Sequence, residues 1–339
     1  MRKCIIFSLI ILIITAGTVF AVGGKDAGAA RASTELTLYY SHAADWTDPI
    51  IKEFQDKTGV HVNLVGAGTG ELVARIRAEK ENPLADLLWG GDPGSYDIIL
   101  ELLEGYKPQD LDSLYPATYD PSHRWHGTSI DPMIIIYNPK LVAPSDAPKG
   151  WGDLLNPRFK GMIAHADPVR SGSAFMALYM QLQLMGGDND RGWGYMRNFV
   201  NNLDGKLLSS SSGTFRGVAD GEYMVGITYE EAGLKYQASG ADLRVVYPSE
   251  GNSKVPSPIA IVKGAKNLEN AKKFVDFVLG KDVQTYLGTV SRRSVRKDVT
   301  LPSEMVSNDR LGDLPYDTTW ITANRDRIME SWRNLIIGR

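Results

Sequence analysis

The sequence predicts an α/β fold in two lobes, with mixed, mostly parallel sheets flanked by helices. Three observations predict it. Strand-like and helix-like patterns alternate from Glu35 onward, as they do where strands lie side by side with helices on their faces. Met133 to Asn138 is a near-continuous apolar run, expected of a strand buried on both faces, and it opens a second lobe. Val255 to Val262, with prolines at its entrance, suits a segment that brings the chain back to the first lobe.

Taken in order, Glu35 to Tyr40 (ELTLYY) reads as the first strand. Ile50, Ile51 and Phe54 on one face place a helix over 46–57, and Gly59 stops it. Residues 60–65 form a second strand, 66–70 a glycine-rich turn, 71–80 a helix carrying Leu72 and Ile76, and 85–89 a third strand. In such sheets ligands sit beyond the carboxyl ends of the strands. Here those ends are Ser41-His42, Gly68-Thr69-Gly70 and Gly90-Gly91-Asp92, all small and polar. Beyond Pro108 the chain becomes irregular. The second lobe then holds a helix from about Gly192 to Asn202, a serine-rich turn at 209–212 and a strand at 223–228. Leu268 to Leu279 is an amphipathic helix with Ala271, Phe274, Val275 and Val278 aligned.

Met1-Arg2-Lys3 followed by the apolar run Ile5 to Ile14 has the form of a secretory signal, too short for a permanent membrane span. Cleavage is expected after Ala21, leaving 22–34 as a flexible leader rich in Gly and Ala. Cys4 is the single cysteine and lies within the signal, so disulfides, thiolate metal sites and cysteine nucleophiles are excluded from the mature chain. The expected division is 35–130 and 257–298 for the first lobe, 131–256 for the second, and 299–339 as a C-terminal helical segment packing on the second. The chain is expected to be a monomer. A net charge of −3 with no basic tract in the mature part argues against nucleic acid as a partner.

Residues 166–175 (ADPVRSGSAF) carry the most chemistry. Asp167-Pro168 breaks the preceding run, and Ser171-Gly172-Ser173 leads into an apolar-periodic run ending at Met180, so a helix opens here. The first N–H groups of a helix have no partner within it, and the helix dipole adds partial positive charge. That suits a phosphate or a carboxylate. Gly172 lets a ligand approach the backbone, and the hydroxyls of Ser171 and Ser173 donate or accept. By itself, the pattern reads first as an ordinary serine cap.

Five segments, 36–40 (LTLYY), 54–60 (FQDKTGV), 70–79 (GELVARIRAE), 82–86 (NPLAD) and 271–277 (AKKFVDF), change that reading by their order and spacing. Together they resemble the extracytoplasmic solute-binding proteins of ABC importers, over about Glu35 to Val299. Within that group the chain is most similar to the branch of ferric-ion, phosphonate and hexose-phosphate binders. The resemblance implies the type 2 periplasmic binding protein fold: two lobes joined by a hinge of crossing strands, closing on one small solute. The closed form is presented to a membrane permease, with no catalysis and no cofactor.

The resemblance also bears on the ligand. Ferric-binding relatives hold the metal with adjacent tyrosines after the strand that ends here near Thr228, where this chain has Tyr229 followed by Glu230 and Glu231. Their histidine after the first strand falls at Ala43, beside His42, and their glutamate after the third strand falls at Gly91. The usual metal set is therefore not reproduced, and no metal ligands are assigned. Their anion-holding positions are kept, at Ser171, Gly172 and Ser173, with Ser211 and Thr228 further along. A periplasmic protein that binds a small anionic solute, a phosphorylated sugar or a phosphonate, is implied. Ferric iron held by an altered set from Tyr229, Glu230, Glu231 and Asp92 is the alternative.

The expected solute contacts are Ser41, His42, Thr69, Gly90, Gly91, Arg170, Ser171, Gly172, Ser173, Ser211, Thr228, Tyr229 and Glu230. Glu231 is expected to point the other way along an extended chain, into solvent. His123 and His126 read as a surface loop rather than a metal site. Arg292-Arg293 and Arg296-Lys297 read first as a solvated basic face and second as cleft charge. Trp151 and Trp193 read as second-lobe packing. A reading from another class is a secreted hydrolase with Ser171 or Ser173 as nucleophile and His165 or His42 as base; it lacks a Gly-x-Ser-x-Gly elbow.

Overall fold

The first lobe begins with β1 (Glu35–Tyr40), α1 (Ala44–Thr58), β2 (His61–Gly66), α2 (Thr69–Ala78), β3 (Leu87–Trp89), α3 (Pro93–Asp97), β4 (Leu103–Glu104) and β5 (His126–Ile130). The second holds β6 (Met133–Tyr137), β7 (Ile163–Ala164), α4 (Gly172–Leu184), α5 (Asp190–Leu203), α6 (Ser211–Ala219), β8 (Val225–Tyr229), α7 (Glu230–Ala238) and β9 (Arg244–Val246). The chain returns along β10 (Pro256–Val262), continues through α8 (Leu268–Leu279) and α9 (Lys281–Thr289), and finishes with α10 (Thr318–Ile337). This computed structural model describes residues 33–42, 44–312, 314 and 316–338. The expected signal segment, the leader through residue 32, and Ala43 lie outside the described residues.

Two mixed sheets result. The first has the order β2-β1-β3-β10-β4, with β5 also paired to β10. β1 runs parallel to β2 and β3, the pairing produced by helical crossovers, whereas β10 arrives from the other lobe and pairs antiparallel with β3, β4 and β5. The second sheet has the order β7-β8-β6-β9, with β7 parallel to β8 and the remaining pairs antiparallel.

Each sheet is covered on both faces. Leu36 and Leu38 of β1 pack with Phe54 and Phe274, while Tyr39 turns to the other face with Leu72, Ile76 and Leu88. In β6 every residue is buried: Met133, Ile135 and Tyr137 enter one cluster, Ile134 and Ile136 the other. Burying a side chain of this size contributes about 1.5–3 kcal/mol. Trp151 lies in the second-lobe core, and Trp193 packs against it. α10 places Ile321, Ile328, Met329 and Trp332 in that core and also packs against α3 of the first lobe.

Three local readings change. The serine-rich stretch read as a turn is the amino end of α6. His126 opens β5 and is 3% exposed, so it is not in a surface loop; burial pushes its pKa down to about 3. Arg292, Arg293 and Arg296 are not a solvated face. The segment after α9 lies against β5, where the Ile130 N–H donates to the Arg293 carbonyl at 3.0 Å, and all three arginines are buried in ion pairs.

Candidate functional site

The carboxyl ends of β1 and β3 lie side by side, tied by the Ser41 N–H donating to the Trp89 carbonyl at 3.0 Å. Thr69, the first residue of α2, donates its hydroxyl to Ser41 Oγ at 3.0 Å. Gly91 holds φ at +89°, and a Cβ there would stand 2.4 Å from Thr69 Cγ2. Gly90 holds φ at +106°, and a Cβ there would stand 2.6 Å from Ser41 Oγ and 2.9 Å from His42 Nε2. Left-handed backbone and crowding together require glycine at both positions.

Across from this wall stands the amino end of α4. Ser171 is its cap, 8% exposed, with Oγ accepting from the Ala174 N–H at 3.2 Å and sharing a 3.1 Å hydrogen bond with Ser173 Oγ. Beyond its chain neighbours and the backbone of its own helix, a Cβ on Gly172 would meet no atom of the described residues within 4 Å. Between the walls lies a cavity of about 410 Å³. Ser41, His42, Trp46, Thr69, Gly91 and Asp92 line it from the first lobe, and Gly172, Ser173, Phe175 and Met176 from α4. The crossing region supplies Asp131, Met133, Tyr229, Glu231, Val255, Pro256 and Arg292, and α10 supplies Arg325.

The crossing end is charged. Arg292 donates through Nη2 to both oxygens of Asp131 at 3.1 Å and to Ser129 Oγ at 3.2 Å, and through Nη1 to Glu231. Its guanidinium lies 4.3 Å from the centre of the Trp46 ring. Arg292 Nε is buried without a hydrogen-bond partner among the described residues. Two carboxylates thus share one cation. Burial raises the Glu231 pKa against the pull of Arg292, and burial followed by the Glu231 charge pushes Tyr229 up to about 12. His42 packs edge-on to Trp46 and Trp89 with ring centroids at 4.7 and 5.2 Å, and its Nε2 is 3.4 Å from Ser257 Oγ. Burial, then the Arg292 charge, hold its pKa well below the usual histidine range, so it is neutral at pH 7.

Of the expected contacts, Ser41, His42, Thr69, Gly91, Gly172, Ser173 and Tyr229 are brought to one cavity. Gly90 stands behind the wall, its N–H donating to the Pro258 carbonyl at 2.8 Å and its carbonyl accepting from Tyr96 Oη at 3.0 Å. Ser171 caps α4 from beneath. Arg170, Ser211, Thr228 and Glu230 do not line the cavity. Arg170 is exposed, Ser211 opens α6, and Thr228 is buried in β8 with its hydroxyl unpaired among the described residues. Glu230 is buried against Arg293, while Glu231 faces the cavity, the reverse of the expected directions. The physical reason is local: β8 ends at Tyr229 and α7 begins at Glu230, so alternation along a strand no longer governs these side chains.

Trp46, Asp131 and Arg325 also line the cavity without having been read as contacts, whereas Asp92 had been read only in the ferric alternative and Arg292 only second, as cleft charge. Asp131 follows β5 directly, so strand-end position could have pointed to it as it did to the Gly90-Gly91-Asp92 segment after β3. Neither serine of the hydrolase reading hydrogen-bonds to a histidine among the described residues; His165 packs against Phe199 and Trp332 instead. No group of three or more His, Cys, Asp or Glu side chains gathers as a metal site among the described residues.

Known proteins share this architecture. The model of the bacterial extracellular solute-binding protein family matches residues 49–311. An uncharacterized protein of Haemophilus influenzae is 32% identical over 273 residues, 78% of each chain. A putative 2-aminoethylphosphonate-binding periplasmic protein of Salmonella typhimurium is 28% identical over 296 residues, 85% of each chain. Among solved structures, the periplasmic binding protein AfuA of Actinobacillus pleuropneumoniae, with exogenous fructose-6-phosphate bound, superposes with a TM-score of 0.76 at 29% identity, over 89% of this chain and 98% of that one. With the fold, the cavity between its lobes and the match over most of its length, this chain belongs to the bacterial extracellular solute-binding proteins and is the solute-binding component of an ABC importer.

Proposed function

We propose that the protein captures a small solute bearing a phosphate or phosphonate group in the periplasm and delivers it, unchanged, to the membrane permease. The observation that carries this reading is the amino end of α4 opening into the cavity, with Gly172 and Ser173 on the wall and free space where a larger residue 172 would stand. The crossing end favours a solute whose other half carries hydroxyls or an ammonium, because Asp131 and Glu231 share one arginine and leave negative charge in excess. The names of the Salmonella relative and of the sugar-phosphate complex support the same class of ligand. In this reading residues 1–21 are a cleaved signal, the mature chain is a monomer, and His42 is a neutral hydrogen-bonding group rather than a base.

Native mass spectrometry of protein purified without refolding tests the proposal directly. A bound mass that fragments to a phosphorus oxyanion is expected, together with calorimetric binding of fructose 6-phosphate or 2-aminoethylphosphonate that is weakened by Ser173→Ala. Binding of ferric ion alone, with a visible charge-transfer band lost in Tyr229→Phe, would overturn it.

A further inference from the structure

We propose that Arg325 is a ligand-binding arginine, gripping the anionic group of a solute seated at the amino end of α4 and so tying the C-terminal helix to an occupied cleft; this rests on the phosphate or phosphonate reading above. The guanidinium of Arg325 lies 3.9 Å from the centre of the Phe175 ring, in the first turns of α4. Both residues line the cavity beside Gly172 and Ser173. Stacking on a ring face holds a guanidinium in one plane and leaves its N–H fork free at the edge.

Among the described residues the Arg325 guanidinium makes no hydrogen bond or ion pair, in contrast with other arginines of the site and of the same helix. Arg327 on the same helix pairs with Asp188, Arg292 with Asp131 and Glu231, and Arg293 with Glu230. Asp92, the carboxylate on the facing wall, is engaged in capping α3 through the Ser95 N–H at 3.3 Å and the Ser95 hydroxyl at 2.8 Å. An uncommitted guanidinium beside a helix amino end sets two positive sources at one end of the cavity, and an anion between them satisfies both. The fork matches two oxygens of a phosphoryl or phosphonyl group, leaving another to the α4 N–H groups and Ser173. The opposite end, with its excess of carboxylate, excludes the anion from the alternative orientation.

The position of Arg325 adds a mechanical role. α10 is anchored in the second-lobe core by Ile321, Ile328 and Trp332, and it packs against α3 of the first lobe. A solute held by Arg325 therefore engages an element that touches both lobes.

Calorimetry with fructose 6-phosphate and 2-aminoethylphosphonate on wild type, S173A, R325A and R325K tests the proposal, alongside hydrogen exchange of residues 318–337 with and without the probe. R325A is expected to bind whichever probe the wild type accepts about 10- to 100-fold more weakly, with R325K between the two because it keeps the charge and loses the fork. Probe-induced protection of α10 is expected in wild type and absent in R325A. Arg325 is exposed, so ligand-free melting of R325K is expected to match wild type and to separate binding from folding. If S173A weakens binding while R325A binds as wild type does, the role of Arg325 is overturned and the solute class stands. If wild type binds neither probe, the solute class falls, and this proposal with it.

Discussion

Arg293 holds Glu230 through two parallel hydrogen bonds, Nε to Oε2 at 3.1 Å and Nη2 to Oε1 at 2.5 Å, with neither residue more than 2% exposed. Tyr247 donates a third bond to Glu230 at 2.6 Å, and the remaining arginine nitrogen reaches the Val306 carbonyl and Asn308. The pair joins the start of α7 to the segment after α9, so it bonds one lobe to the crossing region. Breaking a buried pair leaves an uncompensated charge. Glu230→Ala and Arg293→Met are each expected to cost about 3–5 kcal/mol in urea denaturation. The double variant should cost clearly less than the two single losses combined; strict additivity would show that the pair is not coupled.

Stability should fall as pH drops below about 6.5. His42, His126 and His165 are all held below the usual histidine range by burial, His165 at about 4. Below the unfolded pKa the unfolded chain gains a proton at each ring and the folded chain does not, so the stabilisation present at pH 7 is lost progressively, by up to about 1.4 kcal/mol per pH unit for each group. For His165 the loss is complete near pH 4. Denaturation curves between pH 7 and 4 should show His165→Gln losing about 3 kcal/mol less than wild type over that range; equal slopes would mean that this ring is protonated in the folded state.

Two glycines on opposite walls should behave differently. Gly91→Ala meets Thr69 and a left-handed backbone, and is expected to lower stability by about 1–3 kcal/mol. Gly172→Ala meets no neighbour, lies in a helix, and should leave stability unchanged or raise it by about 0.5–1 kcal/mol. Its methyl group would stand in the cavity, so solute affinity should fall at least about tenfold, a single contact-sized loss. Melting curves and calorimetry on the same two variants read both effects; undiminished affinity in Gly172→Ala would place the solute elsewhere.

Asp45 and Lys235 form an ion pair at 2.5 Å between α1 of the first lobe and α7 of the second. Both are more than half exposed, so Asp45→Asn should change stability by no more than about 1 kcal/mol. Because the pair joins the two lobes, it should favour the closed form modestly. Solute affinity is expected to drop by less than about fivefold at low salt. The difference should vanish near 1 M salt, where screening extends only about 3 Å. A salt-independent loss would point to a packing role instead.

How much of this was legible depends on how local the signal is. α8 spans the residues its apolar spacing gives, because Ala271, Phe274, Val275 and Val278 form one buried stripe. Ser171 was readable as a helix cap for the same reason: its partner, Ala174, is three residues away. α7 was hidden, since two glutamates and a glycine in a nine-residue helix leave little apolar periodicity. Arg292 looked like part of a charge run because its partners Asp131 and Glu231 are 161 and 61 residues distant, and charge patterning does not distinguish a buried network from a wet surface. Arg325 had no sequence signal at all; only the docking of α10 delivers it to the cavity.

Two of the segments that cross between lobes, β5 and β10, are hydrogen-bonded to each other, from His126 opposite Ile259 to Ile130 opposite Pro256, with a register shift between Ser257 and Pro258. A two-stranded ribbon flexes across its thin dimension far more readily than it stretches or shears, and a bulge marks where it bends. Bending at that bulge would change chiefly one angle between the lobes. A transporter facing this molecule need only sense that angle to distinguish a loaded carrier from an empty one, and the chemistry that chooses the cargo can change residue by residue inside the cavity without altering the outward message.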